Sequence, residues 1–480
     1  MKIALVNPVA RRAEGYHTIG TRIPHLGLQV LARLVPPEHS VEIIDEIFGS
    51  HDTQRLLEGR GYDLVGVTAY SSGSTRAYEL AAICRGRGLR CIMGGPHASA
   101  KPQEALGHFD SVAVGECDEI WPTIISAAAA GRLQRQYEGK LSDLSAGFGA
   151  ADQARQPING RYDVGCIQTS RGCPVGCDFC SVTRFNGTEI RRRSIDAIVD
   201  EWNRTTRKFL FVVDDNFFGV GPSHAAWAKE LLRAIIRRGK GRLWFSQTTL
   251  NMGADSEGLR LAYRAGCRGM LIGFETFNAT DLQQYHKGVN AKALDHYRQR
   301  VEGFHRAGIA VFGGFIVGGD GDTEDTVSDT VLRAVQIGVD IIQVTNLTPL
   351  PGTKLYDRLL AEGRIFAANY PADWERYSFV ETVFNPKGVS ARRLDETICE
   401  LRYAAATEPW VWRRTLKALW HTRSLSTAMF VHGMNQGWVR LARHQSPRDV
   451  ERFGKPAGGK RMDKISRSFR LALKPATSSG

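Results

Sequence analysis

Twelve residues, Thr169-Ser170-Arg171-Gly172-Cys173-Pro174-Val175-Gly176-Cys177-Asp178-Phe179-Cys180, do most to limit what this chain can become. Cys173, Cys177 and Cys180 are spaced C-x3-C-x2-C, directly after the apolar run Val164 to Gln168. Three thiolates on one short loop can bind three corners of a cubic [4Fe–4S] cluster, which normally takes four cysteine ligands. The fourth iron then stays open to hold and reduce a small molecule. Gly172, Pro174 and Gly176 let the backbone wrap closely around so bulky a core. A structural zinc knuckle would want a fourth Cys or His at short spacing. The next Cys is Cys267 and the next His is His224, so the cluster reading is preferred.

Around this loop, strand and helix patterns alternate. Residues 1–140 offer strands at Ile3-Val6, Val41-Ile44, Leu64-Thr68, Cys91-Met93 and Val112-Val114, with helices such as Leu26-Leu34 and Thr75-Arg85 between them. Short, continuously apolar strands separated by helices predict a parallel, doubly wound sheet. Ligands of such sheets sit beyond the carboxyl ends of the strands. The loops there are Asn7-Pro8, Asp45-Glu46, Ala69 to Ser74, Gly94 to His97 and Gly115-Glu116. A small-residue linker over 141–160 follows. A second series of strands reads as Val164-Gln168, Leu210-Asp214, Leu243-Gln247, Met270-Phe274, Ala310-Val317 and Ile341-Thr345. Six β/α units suit a partial barrel, since an eightfold one needs more chain. Asp215, Asn216, Gln247, Thr248 and Glu275 fall at carboxyl ends of those strands, where barrels keep their reacting groups.

The cysteine loop with Phe179 before its last Cys resembles the radical S-adenosylmethionine (SAM) superfamily. The run Phe211-Val212-Val213-Asp214-Asp215-Asn216-Phe217-Phe218 and the N-terminal region look like its cobalamin-binding branch. The resemblance covers about residues 1–375. It implies a [4Fe–4S] cluster on Cys173, Cys177 and Cys180, with SAM on the open iron. Asp215, Glu275 and Gln247 would accept the ammonium and ribose hydroxyls. Phe179 would offer main-chain atoms to the adenine, and Gly314 and Gly318, in a run similar to the family's G-x-I-x-G, would let adenine approach the sheet. For cobalamin it implies Thr68, Ser71 and Ser72 near the corrin and nucleotide tail, then Gly94, Gly95, Gly115 and Glu116. Cobalamin domains that supply a cobalt histidine carry D-x-H-x-x-G after the first strand. Here that loop reads Asn7-Pro8-Val9-Ala10-Arg11, so no lower-axial histidine is expected.

The fold class expected is therefore α/β: a doubly wound, Rossmann-like cobalamin-binding domain over residues 1–145 and a radical SAM barrel over 160–375. A helical C-terminal region over 376–453 and a disordered basic tail over 454–480 complete it. The activity implied is SAM cleavage at the cluster and, with cobalamin, methylation of an unactivated carbon of a lipid or secondary metabolite. Cyclisation or rearrangement without methyl transfer is the alternative, and a basic nucleic-acid-binding protein is a weaker third. The electron would come from a flavodoxin or ferredoxin, and no nucleic-acid partner is expected.

The formal charge of +13 is concentrated, because residues 401–480 hold 16 Lys+Arg against 4 Asp+Glu. Trp410, Trp412, Trp420, Phe430 and Trp438 interleave with Arg413, Arg414, Lys417, Arg423 and Arg440. This segment reads as a helical cap over the barrel mouth or as an amphipathic surface for an anionic membrane. Trp410 and Trp412 are expected in the cap and the charges after Arg440 at the membrane. No signal peptide or membrane-spanning run is apparent, and nine cysteines make no disulfide framework, which predicts a cytoplasmic protein. Cys84, Cys91, Cys117, Cys166, Cys267 and Cys399 read as small core residues, and Arg191-Arg192-Arg193 as a solvated face.

Overall fold

A computed structural model describes residues 1–10, 21–50, 52–152, 154–405 and 408–453; the tail expected over 454–480 lies outside the described residues. Strands β1 (Lys2–Asn7), β2 (Ser40–Asp45), β3 (Leu64–Thr68), β4 (Arg90–Gly94), β5 (Ser111–Val114) and β6 (Gln136–Glu138) form one sheet in the order β2-β1-β3-β4-β5-β6. Every pairing is parallel. Side chains alternate between two apolar layers, as a sheet covered on both faces requires. Ile3 and Leu5 pack with Leu28, Trp121 and Ile124 on one face, and Ala4 and Val6 share the other with Ala77 and Leu80. The chain order reverses between β1 and β3, which opens a crevice at their carboxyl ends. β6 was not expected, because Gln136-Tyr137-Glu138 carries no apolar run; its backbone pairs with β5 all the same.

The second sheet joins β7 (Gly165–Ile167), β10 (Phe209–Val212), β11 (Leu243–Thr248), β12 (Cys267–Glu275), β13 (Ala310–Val317) and β14 (Ile341–Asn346) in the order β14-β13-β12-β11-β10-β7, again all parallel. β7 and β14 are its edges, so the barrel stays open between them. A two-stranded antiparallel ribbon, β8 (Ser170–Arg171) and β9 (Arg191–Arg192), lies between β7 and β10 in the chain. It overturns the solvated reading of the three arginines. Arg193 is 2% exposed and pairs with the equally buried Glu201 at 2.7 Å, while Arg191 pairs with Glu116.

The linker is strapped to the edge of the first sheet. Ile158 donates its N–H to the Ile43 carbonyl at 2.9 Å, Arg155 donates to the Val41 carbonyl, and Asn159 bonds both the N–H and the carbonyl of Asp45. All of these contacts lie on β2, an edge strand that would otherwise present unpaired backbone.

Of the C-terminal helices Ala391–Ala405, Glu408–Thr422 and Leu425–Phe453, the first touches the carboxyl end of β14, where Asp395 accepts from the Asn346 amide at 2.8 Å, and the other two lie away from the barrel mouth. The first packs Leu394 and Ile398 on Val327 and Val331 of the helix Glu324–Gln336. The other two close the opposite end. Phe430 stacks on Phe209 and lies 5.7 Å from Phe245, near the starts of β10 and β11, and Val431 and Ala418 meet Ala310 and Ile341. Gly269 makes room, since a Cβ there would sit 2.2 Å from the Phe430 ring. Thr427 and Asn435 bond the carbonyls of Gly308 and Asp340, just before β13 and β14. Sequence fixes the aromatic content of a cap; its location depends on long-range packing.

Candidate functional site

The cysteine loop is held by carboxylates at the end of β10. Asp214 accepts hydrogen bonds from the N–H groups and hydroxyls of Thr169 and Ser170, which sets the turn between β7 and β8. Burial pushes its pKa up to about 6, against the pull of those hydrogen bonds. Asp215 accepts from the Gly172 N–H at 2.7 Å and from the Asn186 amide at 2.8 Å. Gly172 has φ +98°, and a Cβ there would lie 2.1 Å from the Glu189 carbonyl oxygen, so only glycine allows this loop to close. On its other side the loop is clamped by Asp178, whose N–H donates to the Tyr285 carbonyl and whose carbonyl accepts from Leu355.

Cys173, Cys177 and Cys180 line one cavity of about 160 Å³ with Phe179, Asp215, Gln247, Thr248, Gly273, Glu275 and Lys287. Among the described residues no three His, Cys, Asp or Glu side chains converge as they would on a single ion. Three thiols on the wall of one cavity match the cysteine ligation of an iron–sulfur cluster. Burial raises the thiol pKa of Cys180, and pushes that of Cys177 up to about 12 although Lys287 pulls it down. A thiolate-binding cluster must displace those protons. The Asn216 amide lies 3.9 Å from the Cys173 sulfur, and Lys287 bonds Glu275 at 2.7 Å. Burial lowers the Lys287 pKa, but Glu275 and the thiols outweigh it and keep the ammonium charged. Glu275 has φ +65°, an uncommon conformation for a non-glycine residue that aims its carboxylate at this lysine.

The residues expected around SAM are thus brought together with two exceptions. Gly314 is absent from the cavity wall, but it is the register partner of Gly273, which lines it. Gly318 lies past the end of β13, where its N–H bonds Asp322 and a Cβ would strike Leu394. Its glycine serves helix packing. The Phe179 ring turns to Tyr285, 5.3 Å away edge to face.

Two larger cavities open at the carboxyl ends of the first sheet. One, of about 440 Å³, is lined by Thr68, Gly94, Gly95, Gly115, Glu116 and Cys117 and reaches Asn186 and Asp215 of the barrel. The other, of about 510 Å³, is lined by Asn7 to Ala10, Ser71, Ser72, Phe185, Gln343, Leu350, Pro351 and Tyr377 to Phe379. Ser71 and Ser72 are therefore separated from the other expected cobalamin contacts by a neck, formed by His25, Tyr70, Pro96, Ser181 and Phe185, which line both. This shared wall sets the glycine loops and the Ser71-Ser72 hydroxyls side by side at the carboxyl end of the sheet, where the resemblance expects cobalamin. Gly95 has φ +85°, and a Cβ there would press to 2.4 Å from the Thr68 hydroxyl. The Glu116 carboxylate does not face the cavity freely. It receives Arg171 and Arg191, and Arg171 also forks onto Asp118, tying the two sheets together. Cys117, read as a core residue, is a wall residue.

His97 lines neither compartment. It is fully buried and bonds Tyr78 and Ser71. The histidine at the neck is His25, whose Nδ1 is buried without a hydrogen-bond partner and whose pKa burial lowers to about 4. Its sequence signal was slight: one of two His, with His17, between the expected first strand and the helix beginning at Leu26. Tyr70 and Lys287 were missed as well. One is a loop residue, and the other is separated in the chain from the carboxylate it serves.

Comparison with known proteins agrees with this geometry. Residues 167–334 match the radical SAM superfamily and residues 16–125 the B12 binding domain. The bacteriochlorophyllide d C-8(2)-methyltransferase of Chlorobaculum tepidum is 27% identical over 84% of this chain and 89% of its own length. The hopanoid C-2 methylase of Rhodopseudomonas palustris is 28% identical over 72% of this chain and 65% of its length. The radical SAM methyltransferase TsrM of Kitasatospora setae, solved with cobalamin and a [4Fe–4S] cluster, superposes with a TM-score of 0.61 at 20% identity over 75% of each chain. An open parallel barrel with a three-cysteine loop, facing a doubly wound B12 sheet, defines the class. This chain belongs to the cobalamin-binding radical SAM enzymes. It is a methyltransferase whose cofactors are a [4Fe–4S] cluster, SAM and cobalamin.

Proposed function

We propose that this enzyme methylates an unactivated carbon of a largely apolar small molecule, a lipid or a polycyclic secondary metabolite. One observation carries the substrate class. The 510 Å³ cavity between the first-sheet loops and the barrel is walled largely by Val9, Ala10, Phe185, Leu350, Pro351, Tyr377 and Phe379, with few charged groups. Relatives named for bacteriochlorophyllides and hopanoids support it.

Cys173, Cys177 and Cys180 would hold the cluster. Asp215, Gln247 and Glu275 would face the SAM methionyl and ribose groups, with Phe179 and Gly314 beside the adenine. Thr68, Gly94, Gly95 and Gly115 would line the cobalamin compartment, and Ser71 and Ser72, on the wall of the 510 Å³ cavity, would stand where the corrin edge meets the substrate. When bound, these groups supply one-electron cleavage of a carbon–sulfur bond and a transferable methyl group. The chain itself positions and shields. Asp214 and Asp215 fix the cysteine loop, Lys287 compensates the buried Glu275, and Phe185 and Ser181 stand where the compartments meet. Residues 1–145 and 160–375 divide the cofactors between them. The partners are a reduced flavodoxin or ferredoxin and an anionic membrane surface touched peripherally from the cytoplasmic side.

Anaerobic incubation of cofactor-loaded enzyme with SAM, reductant and cell extract tests the reading. A product heavier by one methyl, formed with S-adenosylhomocysteine and 5′-deoxyadenosine, is expected. A product of unchanged methyl count without S-adenosylhomocysteine would replace methylation by cyclisation or rearrangement.

A further inference from the structure

We propose that the outer face of the C-terminal helix pair docks on an anionic lipid bilayer. On the helix Glu408–Thr422, Val411, Arg414 and Ala418 are buried against the rest of the molecule, while Trp412, Leu416 and Trp420 recur every fourth residue on the outside. These three are 55%, 61% and 82% exposed, and Leu425 and Met429 continue the face onto the next helix. Of the thirteen large hydrophobic side chains exposed among the described residues, six lie between 412 and 429, so this is a patch and not scatter. The expectation that Trp412 is cap core is overturned, whereas Trp410 is buried as expected.

Charge identifies the occupant. From Pro409 to Arg448 the sequence has seven Lys and Arg and no Asp or Glu. Arg413 is exposed beside the stripe, and Arg423 is exposed at the turn between the helices. Tryptophan side chains with flanking bases match the headgroup layer of an anionic membrane, where rings bury and cations meet phosphates. No helix among the described residues is long and apolar enough to cross a membrane, so the pair would lie flat. Docking there uses the barrel base and leaves the cysteine loop and the substrate cavity at the other end free. The inference names the surface for the membrane contact proposed above and is independent of the methylated substrate.

Removing the helices would uncover the barrel base, so point variants of the full chain make the test. Protein is floated with phosphatidylcholine vesicles containing about 30% phosphatidylglycerol, and with phosphatidylcholine alone, at about 0.1 M and 0.5 M salt. Flotation with the anionic vesicles at low salt is expected, with tryptophan emission quenched by brominated acyl chains. The pair Trp412→Ser and Trp420→Ser should weaken binding about tenfold or more and abolish the quenching, with iron content and SAM cleavage unchanged. Arg413→Glu with Arg423→Glu should remove the preference for anionic vesicles, and it decides the matter if the tryptophan variant folds poorly. Absence of flotation at low salt overturns the proposal. So does flotation unchanged in both variants, which would leave binding to the basic chain beyond Arg440. A wild-type dimer made monomeric by the tryptophan variant overturns it too, because a second copy then covers the face.

Discussion

The two ends of the barrel are built on opposite rules. At the carboxyl end, buried carboxylates and amides are each committed to a neighbour: Asp214 to Thr169 and Ser170, Asp215 to Gly172, Glu275 to Lys287. Space remains among them. At the amino end the strands meet Phe430, Val431 and Ala418, and aromatic rings fill the opening. Polar groups are costly to bury unless paired, so they collect only where a cavity must be kept open for chemistry. Packed rings stabilise the base and leave no room for a ligand. Damage to the mouth should therefore cost function first, and damage to the base should cost stability first.

The sharpest break is Cys173→Ala. It should remove the cluster and all SAM cleavage while leaving the folded state intact, as iron analysis and circular dichroism would show. Lys287→Met should come next. It leaves the Glu275 carboxylate buried without its partner, at a cost of about 3 kcal/mol, and should weaken SAM binding measured by titration. At the base, Phe430→Ala should lower stability by about 2–3 kcal/mol in urea unfolding, with SAM cleavage per folded molecule unchanged. An equal loss of cleavage in that variant would erase the contrast between the ends.

The most gradual effect is a pH dependence. Asp214 is raised in the fold from 3.8 to about 6, mainly by burial. The native state then holds more protons than the unfolded state between about pH 4 and 6, so stability falls as pH rises through that window, by at most about 3 kcal/mol. Above pH 6 that contribution is gone. Asp214→Asn should flatten this part of the curve, and urea unfolding at several pH values would show it.

How much of this was legible follows the same division. The cysteine loop and the strands feeding it were readable, because C-x3-C-x2-C and uninterrupted runs such as Leu64-Val65-Gly66-Val67-Thr68 are local signals. Asp215, Gln247 and Glu275 were reachable from their place at strand ends. Partners supplied from elsewhere in the chain were not: nothing local joins Lys287 to Glu275, Arg193 to Glu201 or His25 to Tyr70. β6 was missed because an edge strand can be held by backbone pairing alone. The C-terminal aromatics were visible as such. Which end of the barrel they close depends on a void at Gly269 that no periodicity reveals.

The strap along β2 bears on how the chain is made. During synthesis the first sheet can assemble once β6 has emerged, yet β2 still offers open backbone until Arg155, Ile158 and Asn159 arrive. For that interval the nascent domain has a strand edge able to recruit another chain. A fragment released after residue 145 should self-associate in light scattering, and one released after residue 162 should remain a monomer. Those few residues act as a built-in guard, posted only after the domain it protects has been translated.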